Sequence, residues 1–212
     1  MYRFLLFAVL LASSQAEIVD RIAITLGQQV ITELQLDEEL RVTAFLNRQP
    51  IDRNTDARRG AADRLVEQLL VKREMELSHY PLPDAQDVNN YMEKIRAEFG
   101  NDSQWDHDLA AYNLSESTLR EHLALQLTTL RFIEFRFRPD IGVSEGDIRD
   151  YYQRQTATWK VNHPGAEPPP FTVSKESIYN ALIEARTDQV LNTWLQESRK
   201  QLSIVYLDKS LQ

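Results

Sequence analysis

The C-terminal stretch of residues 174–207 constrains the fold more than any other part of the chain. Ser174 is a residue type that caps helices, and the apolar residues after it recur at helical spacing, which predicts one long helix. The period then changes, since residues 203–207, SIVYL, are mostly β-branched or aromatic and predict a strand. Because the backbone groups of a buried strand need hydrogen-bond partners, this strand must pair with another one.

The partner is predicted at the opposite end of the chain. Residues 18–26, IVDRIAITL, end in an alternation of apolar and polar side chains that is typical of a half-buried strand. A tight turn at residues 27–29 and a short return strand at residues 30–31 follow. Thr32 lies three residues before Gln35, the spacing of a capping box, so a helix should begin there.

Residues 1–16 have the pattern of a secretory signal peptide. One basic residue, Arg3, precedes the apolar run of residues 4–12, and small residues follow it. The run is too short for a membrane anchor, and the alternative is an N-terminal core helix. The chain has no Cys, which excludes a lipid anchor on Cys and any disulfide. We therefore expect a soluble mature protein that begins at Glu17 and is periplasmic or otherwise exported.

The rest of the chain predicts a mainly α protein. Lys and Arg number 24 against 32 Asp and Glu, and no basic patch interrupts the mixed charges, so the sequence does not favour a nucleic-acid partner. Apolar residues at helical spacing continue to Pro139, with capping residues before the helices. The predicted helices are residues 56–80, a helix capped by Asp84 and closed by Gly100, residues 105–112, and residues 116–138 capped by Ser115.

Three segments carry a family resemblance: residues 17–40, EIVDRIAITLGQQVITELQLDEEL; residues 105–127, WDHDLAAYNLSESTLREHLALQL; and residues 191–208, LNTWLQESRKQLSIVYLD. Together with the pair Leu69-Leu70, they resemble the N-terminal chaperone domain of the SurA family, periplasmic chaperones related to PrsA and in part to trigger factor. The resemblance implies a helical chaperone domain, residues 17–138, that residues 174–212 complete by pairing the last strand with the first. It also implies binding of unfolded exported or outer-membrane proteins.

Residues 139–173 depart from that family. Ser144 is predicted to cap a short helix, and residues 155–173 contain four prolines and are predicted to form an extended loop. This segment stands where the family carries a prolyl isomerase module of the parvulin type. It is much shorter than a small independent domain, so we expect no isomerase activity.

The sequence predicts no catalytic, metal or cofactor site. No phosphate-binding loop or nucleophile elbow is present, and without Cys a thiol nucleophile is impossible. Asp106-His107-Asp108 is the nearest approach to a metal cluster, but consecutive helical residues point in different directions. The remaining candidates for acid–base chemistry are interpreted as surface residues: His107, His122, Glu38, Glu39, Glu116 and Glu121.

Client contacts are expected in the crevice between the helical body and the terminal helix. The candidate client-binding residues are Tyr151, Tyr152, Trp159 and Phe171; alternatively, Trp159 and Phe171 only hold the proline-rich loop against the body. Phe45, Trp105 and Trp194 are predicted core residues.

Three functions stay open at this point: a chaperone that holds unfolded polypeptides, a dedicated subunit that binds one folded partner in the cell envelope, and, least favoured, a carboxylate hydrolase. The long loop before the terminal helix also permits a homodimer that exchanges its C-terminal segments.

Overall fold

The structure is a computed structural model that describes residues 20–212. A three-stranded antiparallel sheet joins the two ends of this region. It consists of β1 (Ile22–Leu26), β2 (Gln29–Thr32) and β3 (Ile204–Tyr206) in the order β2-β1-β3. The predicted pairing of the first strand with the last is therefore confirmed.

The turn between β1 and β2 also contacts β3. Gly27 has φ +58°, a left-handed conformation that glycine adopts without steric cost, and its N–H donates to the Ser203 carbonyl at 3.1 Å. Within the sheet, Ile24 lies opposite Tyr206 and Leu26 opposite Ile204. The terminal strand is thus aligned with β1 at both of its ends.

Seven helices make up most of the described chain. They are α1 (Glu33–Asn47), α2 (Thr55–Leu77), α3 (Ala85–Ala97), α4 (Asp102–Ala111), α5 (Glu116–Arg136), α6 (Glu145–Asn162) and α7 (Phe171–Gln201). Single turns of 3-10 helix follow α5 at Arg138–Asp140 and β3 at Lys209–Leu211. The predicted mainly α fold with its small sheet is confirmed.

Side chains cap four of the helices at the predicted positions. The Thr32 hydroxyl accepts from the Gln35 N–H at 3.2 Å, and Gln35 Oε1 accepts from the Thr32 N–H at 3.0 Å, which completes the predicted capping box. Asp84, Ser115 and Ser144 cap α3, α5 and α6 as predicted. These caps satisfy backbone N–H groups that have no partner inside their own helix.

Three apolar clusters hold the body together. The first lies between the sheet, α1, α2 and the end of α7, and it includes Leu195 and Leu211. The second is aromatic, since the fully buried Phe45 and Trp105 lie with their ring centroids 5.5 Å apart. The third joins α2 to the end of α5, where Trp194 of α7 packs against Phe132. Phe45 and Trp105 are core residues as predicted, whereas Trp194 is only partly buried.

Two predicted boundaries around the prolines are wrong. The helix that Ser144 caps is not short: it continues to Asn162, so the loop covers only residues 163–170. Its end is set by Pro164, because the residue before a proline is disfavoured in helical conformation. The terminal helix begins at Phe171 and not after Ser174, whose hydroxyl instead donates to the Pro170 carbonyl.

The long terminal helix belongs to two parts of the molecule. The N-terminal half of α7 packs along α6 to form a helical hairpin, with Ile148 and Ile178 buried. Its C-terminal half packs against α2 and carries Leu195 into the first cluster. With 31 residues, α7 spans about 46 Å at the usual helical rise.

Within residues 20–212, no helix combines the length and apolar character that crossing a bilayer requires. The predicted signal peptide, residues 1–16, and the predicted mature N-terminus at Glu17 lie outside the described residues. In the described part of the chain, β3 pairs with β1 of the same chain. Exchange of the C-terminal segment with a second chain stays a prediction.

Candidate functional site

An open groove lies between the end of α5 and the middle of α7, and we refer to it as the α5–α7 groove. It has a volume of about 720 Å³. Four apolar side chains and a surrounding set of polar ones line it: Phe137, Ile141, Val190 and Trp194, with Arg136, Asp140, Arg186, Gln189, Thr193 and Glu197. The sequence predicts client contacts between the body and the terminal helix; this groove lies there, and its role in client binding stays a prediction.

Aromatic packing forms the floor of the groove. The ring centroid of Trp194 lies 4.7 Å from that of Phe132 and 6.4 Å from that of Phe137. Phe132 is fully buried and Phe137 is 5% exposed, so both belong to the packed interior. Val190, one turn before Trp194 on α7, is 41% exposed and presents its side chain to solvent. The floor therefore consists of packed aromatic rings, and part of the apolar wall is free to contact a ligand.

Charged residues of both signs surround the groove. Arg186 connects the two walls, since it donates to the Gly142 carbonyl and lies 2.9 Å from Asp147 at the start of α6. Arg136, Asp140 and Glu197 complete the polar rim. An apolar floor with a rim of mixed charge suits an apolar segment whose flanking residues stay in water.

Three of the four predicted client-binding residues meet at the proline-rich loop. The Tyr152 hydroxyl donates to the Pro169 carbonyl at 2.8 Å, and the Tyr152 ring meets Phe171 edge to face at 5.3 Å. Trp159 lines a cavity of about 160 Å³ together with Tyr152, Pro168 and Pro169. We refer to this place, between α6, the loop and the start of α7, as the α6–loop cleft. These contacts hold the loop against the α6–α7 hairpin.

Tyr151 lies on a neighbouring face of α6. It lines a surface depression together with Trp159 and His163. The rings of Trp159 and His163 stack with their centroids 4.0 Å apart. Gln155 donates to the Tyr151 hydroxyl at 3.0 Å. None of the four predicted residues lines the α5–α7 groove, and their role in binding stays a prediction.

A buried polar cluster joins α1, α2 and α5, and the sequence interpretation of its residues is wrong. Glu39 and His122 were predicted at the surface, but they are 5% and 8% exposed. Arg64 Nε donates to Glu39 Oε1 at 2.7 Å, and His122 Nδ1 lies 3.0 Å from Glu39 Oε2. Thr43 also donates to Oε1, at 3.3 Å, so both oxygens of the carboxylate have partners.

This cluster borders a cavity of about 320 Å³. Burial acts to raise the pKa of the Glu39 carboxyl, but hydrogen bonds and charges from His122 and Arg64 lower that pKa below its ordinary value of 4.5. A carboxylate with a lowered pKa is a weak proton acceptor. The arrangement thus favours a structural ion-pair network that ties three helices together over acid–base chemistry.

In the region from Asp20 to Gln212, no group of three or more His, Asp or Glu side chains is placed to hold a metal ion. His107, the centre of the Asp106-His107-Asp108 sequence, lies exposed on α4. Its neighbour Asp108 accepts a hydrogen bond from Gln104 at 2.6 Å. The three residues are consecutive on α4, so their side chains point in different directions.

The sequence contains weak signals for the burial of Glu39 and His122 and for the exposed apolar position of Val190. Glu39 follows Leu36 by three positions and His122 follows Leu119 by three, so both share the buried side of their helices. Val190 is an apolar residue in an otherwise polar interval of α7.

Comparison of the chain with models of protein families and with curated protein sequences gives no match.

Proposed function

We propose that this protein is a chaperone of the SurA type that holds unfolded exported or outer-membrane polypeptides in the periplasm, without prolyl isomerase or other catalytic activity. The observation that carries the proposal is the α5–α7 groove, where the exposed Val190 and the partly buried Trp194 offer apolar surface beside a polar rim. The resemblance of three segments to the SurA family gives the class of ligand.

The groove has properties that holding an unfolded chain requires. Its apolar surface is open, so a client segment enters and leaves without displacing the aromatic floor. Its rim carries Arg136 and Arg186 as well as Asp140 and Glu197, which tolerates flanking residues of either charge. A chaperone that binds such segments lowers the concentration of free aggregating chain.

Val190→Lys is the variant that tests this proposal. The substitution places a charge in the apolar wall, and the exposed position of Val190 makes it compatible with folding. Val161→Lys is the matched control, because Val161 is also an exposed helical valine, 77% accessible, but lies outside the groove. The assay dilutes an outer-membrane protein, unfolded in urea, into buffer that contains an excess of the wild type or of one variant. The light scattering of the aggregating client is then measured.

We expect the wild type and Val161→Lys to suppress scattering and Val190→Lys to lose most of that effect. Point variants are preferable to removal of residues 174–212, since Leu195 and Leu211 belong to the core and truncation would unfold the body. Absence of suppression by the folded wild-type chain would exclude general holding activity and would favour the alternative, a subunit that binds one folded partner.

A further inference from the structure

The α6–loop cleft has the chemistry of a site for polyproline. Glu167, Pro168 and Pro169 each precede a proline, which restricts them to extended conformations, and Pro170 has φ −58° and ψ 146°. These are the dihedral angles of a polyproline II helix. The chain's own residues 168–170 therefore form a short polyproline segment, and Pro168 and Pro169 form one wall of the cleft.

The contacts to that segment are of the kind that recognises polyproline in other proteins. Aromatic side chains, Tyr152 and Trp159, line the cleft with Pro168 and Pro169. The Tyr152 hydroxyl donates to a carbonyl of the segment, that of Pro169. Polyproline binds to aromatic-lined grooves in this way because its conformation is already extended and its carbonyls are free to accept hydrogen bonds.

Residues 168–170 do not provide hydrogen-bond partners for all buried polar atoms beside them. Trp159 Nε1 and Thr156 Oγ1 are buried and have no hydrogen-bond partner among the described residues. Both residues line the remaining cavity of about 160 Å³ beside the prolines. A buried indole N–H normally has an acceptor, and the backbone carbonyl of an incoming segment has the right chemistry to be the acceptor of Trp159 Nε1.

We propose that the face of α6 that carries Tyr152 and Trp159 is a docking site for a proline-containing extended segment of another polypeptide, and that residues 168–170 cover this face in the absence of that segment. The incoming segment replaces these prolines against Tyr152 and supplies the carbonyl that Trp159 Nε1 lacks. This site is separate from the α5–α7 groove, so the inference does not depend on the function proposed for the groove.

Competition with the chain's own segment sets the expected affinity. A tethered segment has a high effective concentration. If residues 168–170 cover the docking face for about nine-tenths of the time, the apparent Kd of a free peptide is raised about tenfold. The double variant Pro168→Ser/Pro169→Ser weakens the internal segment. It lies in the loop, away from the three core clusters, and is expected to fold.

The experiment measures fluorescence anisotropy of a labelled peptide with the sequence of residues 165–172, GAEPPPFT, and of a control peptide with its three prolines replaced by alanine. We expect the double variant to bind the proline peptide about tenfold more tightly than the wild type does. The alanine peptide should bind more weakly. Trp159→Ala added to the double variant should abolish binding, whereas Val161→Ala on the same helix should not.

Tyr152→Phe, which removes only a hydroxyl, provides the same test if Trp159→Ala does not fold. Failure of the folded double variant to bind the proline peptide at millimolar protein would overturn the proposal. Equal binding of the proline and alanine peptides, or binding that both cleft variants leave unchanged, would overturn it as well. The assay contains no aggregating client, so its outcome is independent of the light-scattering experiment.

Discussion

His122 Nδ1 lies 3.0 Å from Glu39 Oε2, although 83 positions separate the two residues in the chain. Glu39 is on α1 and His122 on α5, while Arg64 of α2 donates to the other carboxylate oxygen at 2.7 Å. One buried carboxylate therefore connects the three helices at the centre of the body. Removal of its charge should weaken their packing, since the buried His122 would lose its charged hydrogen-bond partner.

We predict that Glu39→Gln lowers the free energy of unfolding by about 1–3 kcal/mol at neutral pH, because hydrogen bonds to a charged group contribute about this much. Urea denaturation followed by circular dichroism measures the change. Glu121→Gln is the control, because Glu121 is an exposed glutamate next to His122 on the same helix. An equal loss in both variants would contradict a special role for the Glu39 carboxylate.

Comparison of the wild type with Glu39→Gln also gives a prediction on how stability depends on pH. The folded-state pKa of Glu39 lies below its ordinary value of 4.5, so ionised Glu39 stabilises the fold fully at pH values above that ordinary pKa. That stabilisation is lost as the pH falls through the lower folded-state pKa. The stability difference between wild type and Glu39→Gln should therefore shrink as the pH falls from neutral to well below 4.5. A difference that is constant over this range would show that the Glu39 charge is not responsible.

The pairing of β1 with β3 could be predicted because the strand at residues 203–207 needed a partner and β1 was the clearest one. Local patterns also predicted the caps, since Thr32, Asp84, Ser115 and Ser144 act only on residues close in sequence. These features depend on backbone hydrogen bonding and short spacing. Both are readable from a single sequence.

The features that were missed depend on contacts between distant segments. Glu39 and His122 are polar residues that pattern analysis assigns to the surface, and only the approach of α1 to α5 makes their burial favourable. The α5–α7 groove likewise arises where Phe137 and Trp194 meet. Residues 155–162 were predicted as loop because the prolines that follow dominated the composition, although the first of them is Pro164.

Leu211 and Leu207 provide a matched test of whether the 3-10 turn at Lys209–Leu211 stabilises the first apolar cluster. Leu211 is 7% exposed in the first apolar cluster, whereas Leu207 is 52% exposed. We predict that Leu211→Ala lowers the free energy of unfolding by about 2 kcal/mol, at the lower end for a buried leucine, because a single 3-10 turn relaxes easily around the smaller side chain. Leu207→Ala should change it by less than about 0.5 kcal/mol. Similar urea midpoints for the two variants would contradict the burial of Leu211.

Asp147 at the start of α6 should have an unusually low pKa. The Ser144 N–H and hydroxyl, followed by the Arg186 guanidinium, lower the pKa of this carboxyl from 3.8 to about 2. Because the folded-state pKa is depressed, the stabilising contacts of Asp147 are complete above about pH 4 and are lost as the pH falls through about 2. The pKa can be measured by NMR titration of the labelled carboxyl carbon.

In that titration, Arg186→Met should raise the Asp147 pKa towards 3.8, because the cation that lies 2.9 Å away is removed. Arg154→Met is the control, since Arg154 lies on another face of α6 beside Tyr151. An Asp147 pKa that Arg186→Met leaves at about 2 would mean that the Ser144 cap alone is responsible.

Arg199 should fasten the terminal helix to the body. Its guanidinium lies 3.1 Å from both Asp63 and Glu67 on α2, and its side chain is 27% exposed. Lys200, by contrast, is 70% exposed and pairs with Glu197 of its own helix. Arg199→Met keeps most of the apolar stem and removes the charge, so it isolates the electrostatic contribution.

We predict that Arg199→Met lowers the free energy of unfolding by about 1 kcal/mol at low ionic strength and that Lys200→Met has a smaller effect, because only Arg199 bridges two helices. Salt screens partly exposed pairs, so the cost of Arg199→Met should fall in 1 M NaCl. Urea denaturation at both ionic strengths measures it. A cost for Arg199→Met that does not depend on salt would assign the effect to lost packing of the stem, and not to the ion pairs with α2.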